Sequence, residues 1–390
     1  MTTDTSEKEF QNHIIAHLVS TGYHKRGNEN YNKASCLDPE LTLKFILDTQ
    51  QREWKKFKRV YGDDAERKFF YRLVKEIDKK GTINVLRKGF KDAGCYFKLF
   101  YPKPNTHKNP DLFEKFEQNI FSVIDELEYE QKEDDKRLDL VIFINGLPII
   151  TIELKDTFSQ GVEKAIKQYK EDRNPIEPIF QRCFVHFAMS DEKIYMATKL
   201  EGLKTKFLPF NKDLENPEVK NDYKTSYLYN DILQINKLSK LISNFIYMEK
   251  PVCRANGTGR DESGKTKPIF PRYHQLNCVN QLLADAEPGK NYLIEHSNGS
   301  GKTKTIAWLS HGLINKFDRL DNRVYDMVIV ISDRRIIDKQ LQDQVQGIEK
   351  VKGIVEKIEK HSEQLKEALK TGSNIVVTTL QKFPYILEEV

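Results

Sequence analysis

The segment Arg137 to Lys155, RLDLVIFINGLPIITIELK, constrains this chain more than any other. Residues 139–144 (DLVIFI) have the apolar, β-branched composition of a strand. Asn145-Gly146 follows, the dipeptide best suited to a two-residue hairpin turn, because both central positions need positive φ. Pro148 to Leu154 (PIITIEL) then reads as the partner strand. Side chains alternate along a strand, so Glu153 and Lys155 share a face. The hairpin folds the end of the second strand back beside the start of the first, where Asp139 stands. Two carboxylates and an amine can therefore meet at one point, among Leu140, Ile142, Ile150 and Ile152. An apolar strand pair tolerates such charge only where a metal ion or a partner compensates it.

That set of groups is what phosphodiester hydrolysis needs. Two carboxylates can hold a hard divalent ion, Mg²⁺ above all, through oxygen ligands. The ion activates water and offsets charge on the scissile phosphate, and a nearby lysine orients the water or stabilises the phosphorane. Glu153 and Lys155 alone have a plainer reading, the solvated face of a half-exposed strand. Three features favour a site: an aspartate at the opposite end of the hairpin, the apolar setting, and an amphipathic helix expected over roughly 159–171.

On these residues the segment resembles the PD-(D/E)xK nuclease core of the R (restriction and translocation) subunits of type I restriction enzymes. In that family a strand with a metal-binding Asp leads through F-x-N-G-x-P to an E-x-K strand. Here the pattern reads Asp139, then Phe143-Ile144-Asn145-Gly146-Leu147-Pro148, then Glu153-Leu154-Lys155. Leu138 departs from the family by standing where the Pro of "PD" is usual; the carboxylate after it is retained. The resemblance implies an Mg²⁺-dependent DNA endonuclease with Asp139, Glu153 and the Leu154 carbonyl at the metal and Lys155 as the catalytic amine. Related nucleases carry Q-x-x-x-Y on the next helix. Here Gln168 and Tyr169 are adjacent, with Gln160 upstream, so Gln168 is a catalytic candidate on a loose match, against the plainer reading of an exposed helix glutamine. A first helix is expected from Glu7, with Phe10, Ile14, Ile15 and Leu18 on one face and Ser6 with Glu9 as a capping box. Glu7 is a candidate for the N-terminal glutamate that such cores direct at the metal. The alternative is a first-turn glutamate favoured by the helix dipole.

The second half of the chain carries two glycine-rich phosphate-loop patterns. Gly259 to Thr266 (GRDESGKT) matches G-x-x-x-x-G-K-[ST] in full; His296 to Thr303 (HSNGSGKT) lacks the first Gly. A phosphate loop must leave a strand and enter a helix, whose N-terminal N–H groups and dipole meet the anion. The first match has no strand before it, acidic Asp261 and Glu262 within it, and Pro268 and Pro271 after it. The second follows Tyr292-Leu293-Ile294-Glu295, read as a short strand, and precedes Ile306, Leu309, Leu313 and Phe317 at helical spacing. It is therefore the expected ATP site. Gly299, Ser300 and Gly301 wrap the phosphates, Lys302 reaches their oxygens, and Thr303 binds Mg²⁺. A glycine-rich turn at a helix start is the plainer alternative. Arg272-Tyr273-His274-Gln275 resembles the adenine-reading motif of superfamily 2 motors, with Tyr273 stacking and Gln275 bonding the base edge. Val328 to Leu341 and Ile375 to Phe383 resemble the DNA-contacting motifs of their first lobe.

These readings give a mixed α/β chain. Residues 1–248 are expected to form a nuclease domain with an N-terminal helical region, 249–271 a basic connector, and 272–390 a first RecA-like lobe that stops before a Walker B strand. Such a lobe is expected not to turn ATP over efficiently. The charge balance of 63 basic to 58 acidic residues, +5, leans only weakly towards polyanions. Five cysteines without a CxxC spacing exclude a zinc ribbon and fit a reducing cytoplasm. No apolar run is long enough for a membrane span. By the same resemblance the partners are double-stranded DNA and the modification (methyltransferase) and specificity subunits of a restriction complex. Two alternatives stand beside this: a type III restriction or repair helicase subunit, and a DNA-binding assembly module with a decayed catalytic centre.

Overall fold

The computed structural model describes residues 7–130, 136–156, 161–249, 266–333, 335–348, 354–358 and 362–382. Expectations for Ser6, Gln160, Cys253, Gly259 to Lys265, Arg334 and Phe383 lie outside them. The chain divides into two compact units, one of Met1–Lys103 and Pro110–Arg272, the other of Pro104–Asn109 and Tyr273–Val390.

The first unit opens with helix α1 (Glu7–Ser20), which buries Phe10, Ile14, Ile15 and Leu18 as its spacing predicts. Strand β1 (His24–Arg26) follows. Four helices come next, α2 (Pro39–Thr49), α3 (Gln51–Tyr61), α4 (Ala65–Lys80) and α5 (Thr82–Lys88), then a small hairpin of β2 (Phe90–Asp92) and β3 (Cys95–Phe97). Helix α2 starts where Asp38 accepts the Leu41 N–H and Pro39 pre-sets φ in the first turn. Trp54 and Phe57 of α3 pack with Phe69, Phe90 and Phe97 into one aromatic core. Each fully buried ring in it contributes about 1.5–3 kcal/mol of transfer free energy.

After α6 (Pro110–Glu117) the chain lays down its main sheet: β4 (Phe121–Glu128), β5 (Arg137–Ile144) and β6 (Leu147–Leu154). Helices α7 (Gly161–Glu171) and α8 (Pro178–Arg182) cross over to β7 (Val185–Met189), and β8 (Ile194–Ala197) and β9 (Leu208–Pro209) complete it. The strand order is β1-β4-β5-β6-β7-β8-β9. β1 pairs parallel with β4 and β6 parallel with β7, while the other neighbours are antiparallel. Every side chain of β6 is buried, as a central strand covered on both faces requires. Helix α9 (Ile235–Lys240) and a short antiparallel pair, β10 (Tyr247–Glu249) with β11 (Lys267–Ile269), close the unit.

The Asn145-Gly146 turn does more than reverse the chain. Both residues take positive φ, +50° and +77°, as a two-residue hairpin turn demands. Asn145 donates to the Leu99 carbonyl at 2.8 Å and accepts from Ile120 N–H at 2.7 Å. The Gly146 carbonyl accepts from Asp38 N–H at 2.8 Å. The helical layer of residues 38–100 is therefore fastened to the turn end of the hairpin, opposite the end that carries Asp139 and Glu153.

The second unit is a parallel α/β fragment. Helices α10 (Tyr273–Asp285) and α11 (Lys302–Ile314) precede β12 (Val328–Ser332), α12 (Arg335–Ile348), β13 (Val355–Lys357), α13 (Ser362–Thr371) and β14 (Ile375–Thr379). The three strands are all parallel, in the order β12-β14-β13. The mixed α/β class expected from sequence is what both units show. The strand expected at 292–295 is not formed. Leu293 is 96% exposed, and the run pairs with no strand among the described residues. An apolar tetrapeptide becomes a strand only where a neighbour takes its hydrogen bonds and covers its side chains. No helix among the described residues is long and apolar enough to cross a membrane.

Candidate active site

The register of the hairpin decides which side chains meet. Next to the turn, Ile144 opposes Leu147 and Phe143 opposes Pro148. Farther along, Ile142 opposes Ile150 and Leu140 opposes Ile152. The shift leaves Ile149 as an extra residue, a β-bulge in β6. Had the turn register run on unbroken, Asp139 would oppose Ile152, and Glu153 would point to the other face of the sheet. The bulge instead sets Asp139 opposite Glu153, and opposed residues share a face. The Asp139 carboxylate then accepts the Leu154 N–H at 2.6 Å, which ties the two strand ends together.

Lys155 and Glu7 join this cluster. Lys155 is 8% exposed and donates to Glu7 Oε1 at 2.8 Å, so the first turn of α1 reaches the hairpin end. Gln11, one turn further along α1, donates to the Asp139 carbonyl at 2.7 Å. Glu126 lies in β4 between Asp125 and Leu127, which oppose Leu140 and Leu138, and so stands beside Asp139. It holds φ +50°, unusual for a strand residue.

Electrostatics sets these acids apart from surface carboxylates. Burial pushes the Asp139 carboxyl up; the Leu154 N–H and Lys155 oppose that, and Glu7 and Glu126 add to it. Glu153 is fully buried, and burial drives its carboxyl well above the usual range, with Asp139 adding repulsion and Arg173 and Lys155 opposing. Its Oε1 accepts from Arg173 Nε at 2.8 Å, while Oε2 is buried without a hydrogen-bond partner. Two hard-oxygen carboxylates, both held towards protonation and one with an orphaned oxygen, are what a bound divalent cation would relieve. The residues therefore fit a metal ion. Among the described residues no three His, Cys, Asp or Glu side chains converge to hold an ion by themselves, Glu7 included.

Helix α7 covers the face that carries Glu153. Its buried Tyr169 shares a hydrogen bond with Thr151 Oγ1 at 2.7 Å, and Thr151 reaches His186 Nδ1 at 2.8 Å. Burial pulls the His186 pKa down to about 3, so the ring is neutral. Gln168 is half-buried on α7 and makes no hydrogen bond with Asp139, Glu153 or Lys155. Arg173, just beyond α7, is the residue that engages the cluster. Sequence reasoning passed over it because a cation after a helix is ordinarily a partner of the helix dipole.

In the second unit the loop of residues 297–301 enters α11, with Gly301 in the left-handed region at φ +87°. Gln275 Nε2 donates to the Gly301 carbonyl at 3.0 Å, and His274 Nε2 lies 3.1 Å from the Ser300 carbonyl. The positive φ at Gly301 favours glycine, since L-residues with a Cβ rarely adopt that conformation. Lys302 Nζ reaches the carbonyls of His296 and Ser297, each at 2.9 Å. Tyr273 is half-buried, Gly299 lies within the loop, and Thr303 follows it in the first turn of α11. Loop and helix thus fit a nucleotide phosphate, although the strand expected before them is missing. Arg272, expected beside Tyr273 and Gln275, falls in the first unit.

Residues 4–205, more than half of the chain, match the family model described as type I restriction enzyme R protein N terminus. The chain belongs to this family. Residues 274–389 of this R-protein N-terminal chain match the model of the SWI2/SNF2 ATPase. It is 30% identical over 291 residues to a Methanocaldococcus jannaschii protein described as a type I restriction enzyme endonuclease subunit, an overlap of 68% of this chain and 26% of that protein. It is 26% identical over 295 residues to the HindI type I restriction enzyme endonuclease subunit of Haemophilus influenzae, covering 71% and 26% of the two. A second Methanocaldococcus jannaschii protein of the same description is 25% identical across 96% of this chain and 37% of its own length. The R-protein chain thus spans roughly a quarter to a third of the length of the relatives it matches.

Proposed function

We propose that the first unit is the Mg²⁺-dependent, PD-(D/E)xK-type DNA endonuclease domain of a type I restriction enzyme R subunit, and that the second is part of its ATP-dependent DNA translocase. The observation that carries this reading is the bulged β5–β6 register, which sets Asp139 opposite Glu153 with Lys155 two residues on. In this reading double-stranded DNA is the substrate, and modification and specificity subunits complete the enzyme. A decayed assembly module fits less well, because it would keep Glu153 fully buried with one oxygen unsatisfied and nothing gained from it.

Asp139, Glu153 and the Leu154 carbonyl would hold the ion. When bound, it supplies an activated water and offsets charge on the scissile phosphate. Lys155 stands beside the carboxylates, where it can orient that water or donate to a phosphate oxygen. Glu7 fixes the position of the amine through its 2.8 Å contact. Strands carry Asp139 and Glu153, and Lys155 directly follows β6, so their spacing is set before DNA arrives. In the second unit, Lys302 exchanges the loop carbonyls for phosphate oxygens. Gly299, Ser300 and Gly301 wrap the phosphates, and Thr303 meets the accompanying Mg²⁺. Tyr273 and Gln275 would meet the base.

Nicking of supercoiled plasmid by the full chain in Mg²⁺ tests the nuclease. Asp139→Ala should lower it by at least the roughly 10²–10³-fold typical of one transition-state-stabilising group. Undiminished Mg²⁺-dependent nicking by Asp139→Ala would refute the assignment. So would a crystal soaked in Mn²⁺ that shows no ion beside Asp139 and Glu153.

A further inference from the structure

The pairing between Arg173 and Glu153 is one-sided. Arg173 Nε lies 2.8 Å from Glu153 Oε1, and its Nη2 lies 2.7 Å from the same oxygen. An arginine–carboxylate fork ordinarily engages both oxygens in parallel. Here both donors converge on Oε1, and Oε2 stays buried without a partner. The guanidinium cannot swing to the other oxygen freely, because it is held at two further points. Nη2 donates to the Arg137 carbonyl at 2.5 Å, and the group lies 5.8 Å from the centre of the Tyr129 ring. Arg173 itself is 6% exposed.

The Arg137 carbonyl belongs to the first residue of β5, two before Asp139. Arg173 therefore bridges the start of β5 to the end of β6. These are the strand ends that carry the two carboxylates, and they lie farthest from the Asn145-Gly146 turn. The turn and the bulge fix the register from one end of the hairpin, and Arg173 clamps the other.

We propose that Arg173 is a positioning residue of the nuclease: it grips Oε1 of Glu153 and the backbone of β5 so that Oε2 remains the oxygen presented to a divalent cation shared with Asp139. The proposal rests on the metal site described under Proposed function, and it adds a residue outside the E-x-K segment to that site. Arg173 touches neither substrate nor metal, and it acts only through Glu153.

Binding of Mn²⁺ to the full chain, followed by electron paramagnetic resonance of the free ion in the absence of DNA, reads this without relying on activity. Removing a partner that orients a metal ligand typically costs roughly 10–100-fold in metal affinity. Arg173→Gln should show a loss of that size with an unchanged far-ultraviolet circular dichroism spectrum. Arg173→Lys keeps the charge but not the rigid fork, and it should recover part of the lost affinity. If Arg173→Gln does not fold, Arg173→Lys alone decides: weaker binding than wild type supports positioning, and wild-type affinity overturns it. If Asp139→Ala abolishes binding while both Arg173 variants bind as wild type does, the positioning role is wrong and the metal site stands. If Asp139→Ala binds Mn²⁺ as well as wild type, the site itself is wrong and the role of Arg173 falls with it.

Discussion

At the scale of single residues, the site is a concentration of unfavourable charge. Asp139 and Glu153 both have carboxyls displaced upward, chiefly by burial. The sign of the consequence follows from linkage. A carboxyl whose pKa is raised by folding binds its proton more tightly in the native state than in the unfolded one. It contributes nothing below its unfolded pKa, where both states are protonated. As pH climbs towards and through the raised native value, it costs the folded state stability. Asp139→Asn keeps an oxygen for the Leu154 N–H and removes the charge. Without divalent metal, this variant should melt at a higher temperature than wild type at pH 8, and the gain should shrink towards zero near pH 4. Thermal denaturation monitored by circular dichroism in the presence of a chelator measures it. An equal or lower melting temperature at pH 8 would show that burial of this charge is not the strain described. Asp139, Glu153 and Lys155 can be proposed from sequence because an apolar strand pair, a turn dipeptide and an E-x-K pair are all visible in the letters. Arg173 and Gln11 are invisible in that way. Each lies on a helix or just beyond one, and what recruits it is a tertiary contact with no local signature.

At the scale of the elements, the hairpin was legible and its register was not. Asn145-Gly146 announces a turn, and the apolar runs on either side announce strands. A regular two-residue hairpin nevertheless puts Asp139 and Glu153 on opposite faces. The extra residue at Ile149 corrects this, and no composition rule marks Ile149 as bulged. Nor could composition show that residues 38–100 fasten to the turn. That attachment leaves little room at Gly146, where a Cβ would meet the Asp38 carbonyl at 2.2 Å and Thr42 Oγ1 at 2.3 Å. Its φ of +77° adds a cost of about 1–2 kcal/mol for any L-residue. Gly146→Ala should therefore destabilise the first unit by about 2 kcal/mol or more, since backbone rather than a flexible side chain opposes the new methyl. Chemical denaturation checks the magnitude. A loss below about 0.5 kcal/mol, the range of an ordinary surface substitution, would mean that the helical layer does not clamp the turn.

At the scale of the whole molecule, the proposed function gives the two units different ligand chemistries. One would be a carboxylate pair for a bare divalent ion, and the other a glycine loop and helix start for a nucleotide. The two halves differ in the letters because hairpin and parallel α/β patterns differ in period. Sequence reading overreached at Tyr292 to Glu295, where the apolar letters of a strand lack a neighbour to pair with. The nucleotide loop consequently rests on α11 and on Gln275 and His274, not on a strand behind it. Ligand-linked stabilisation tells the two sites apart, because a ligand stabilises only the unit that binds it, by about 2.7 kcal/mol at a concentration one hundred times its Kd. Calorimetry of the full chain should therefore show Mg²⁺ alone raising the transition of the first unit, with the effect abolished by Asp139→Ala and retained by Lys302→Ala. Adding ATP at saturating Mg²⁺ should raise only the second transition, and Lys302→Ala should abolish that. If Mg²⁺ alone moves the second transition and leaves the first in place, the carboxylate pair is not the metal site. If ATP still acts in Lys302→Ala, the loop at 297–303 is not where the nucleotide binds.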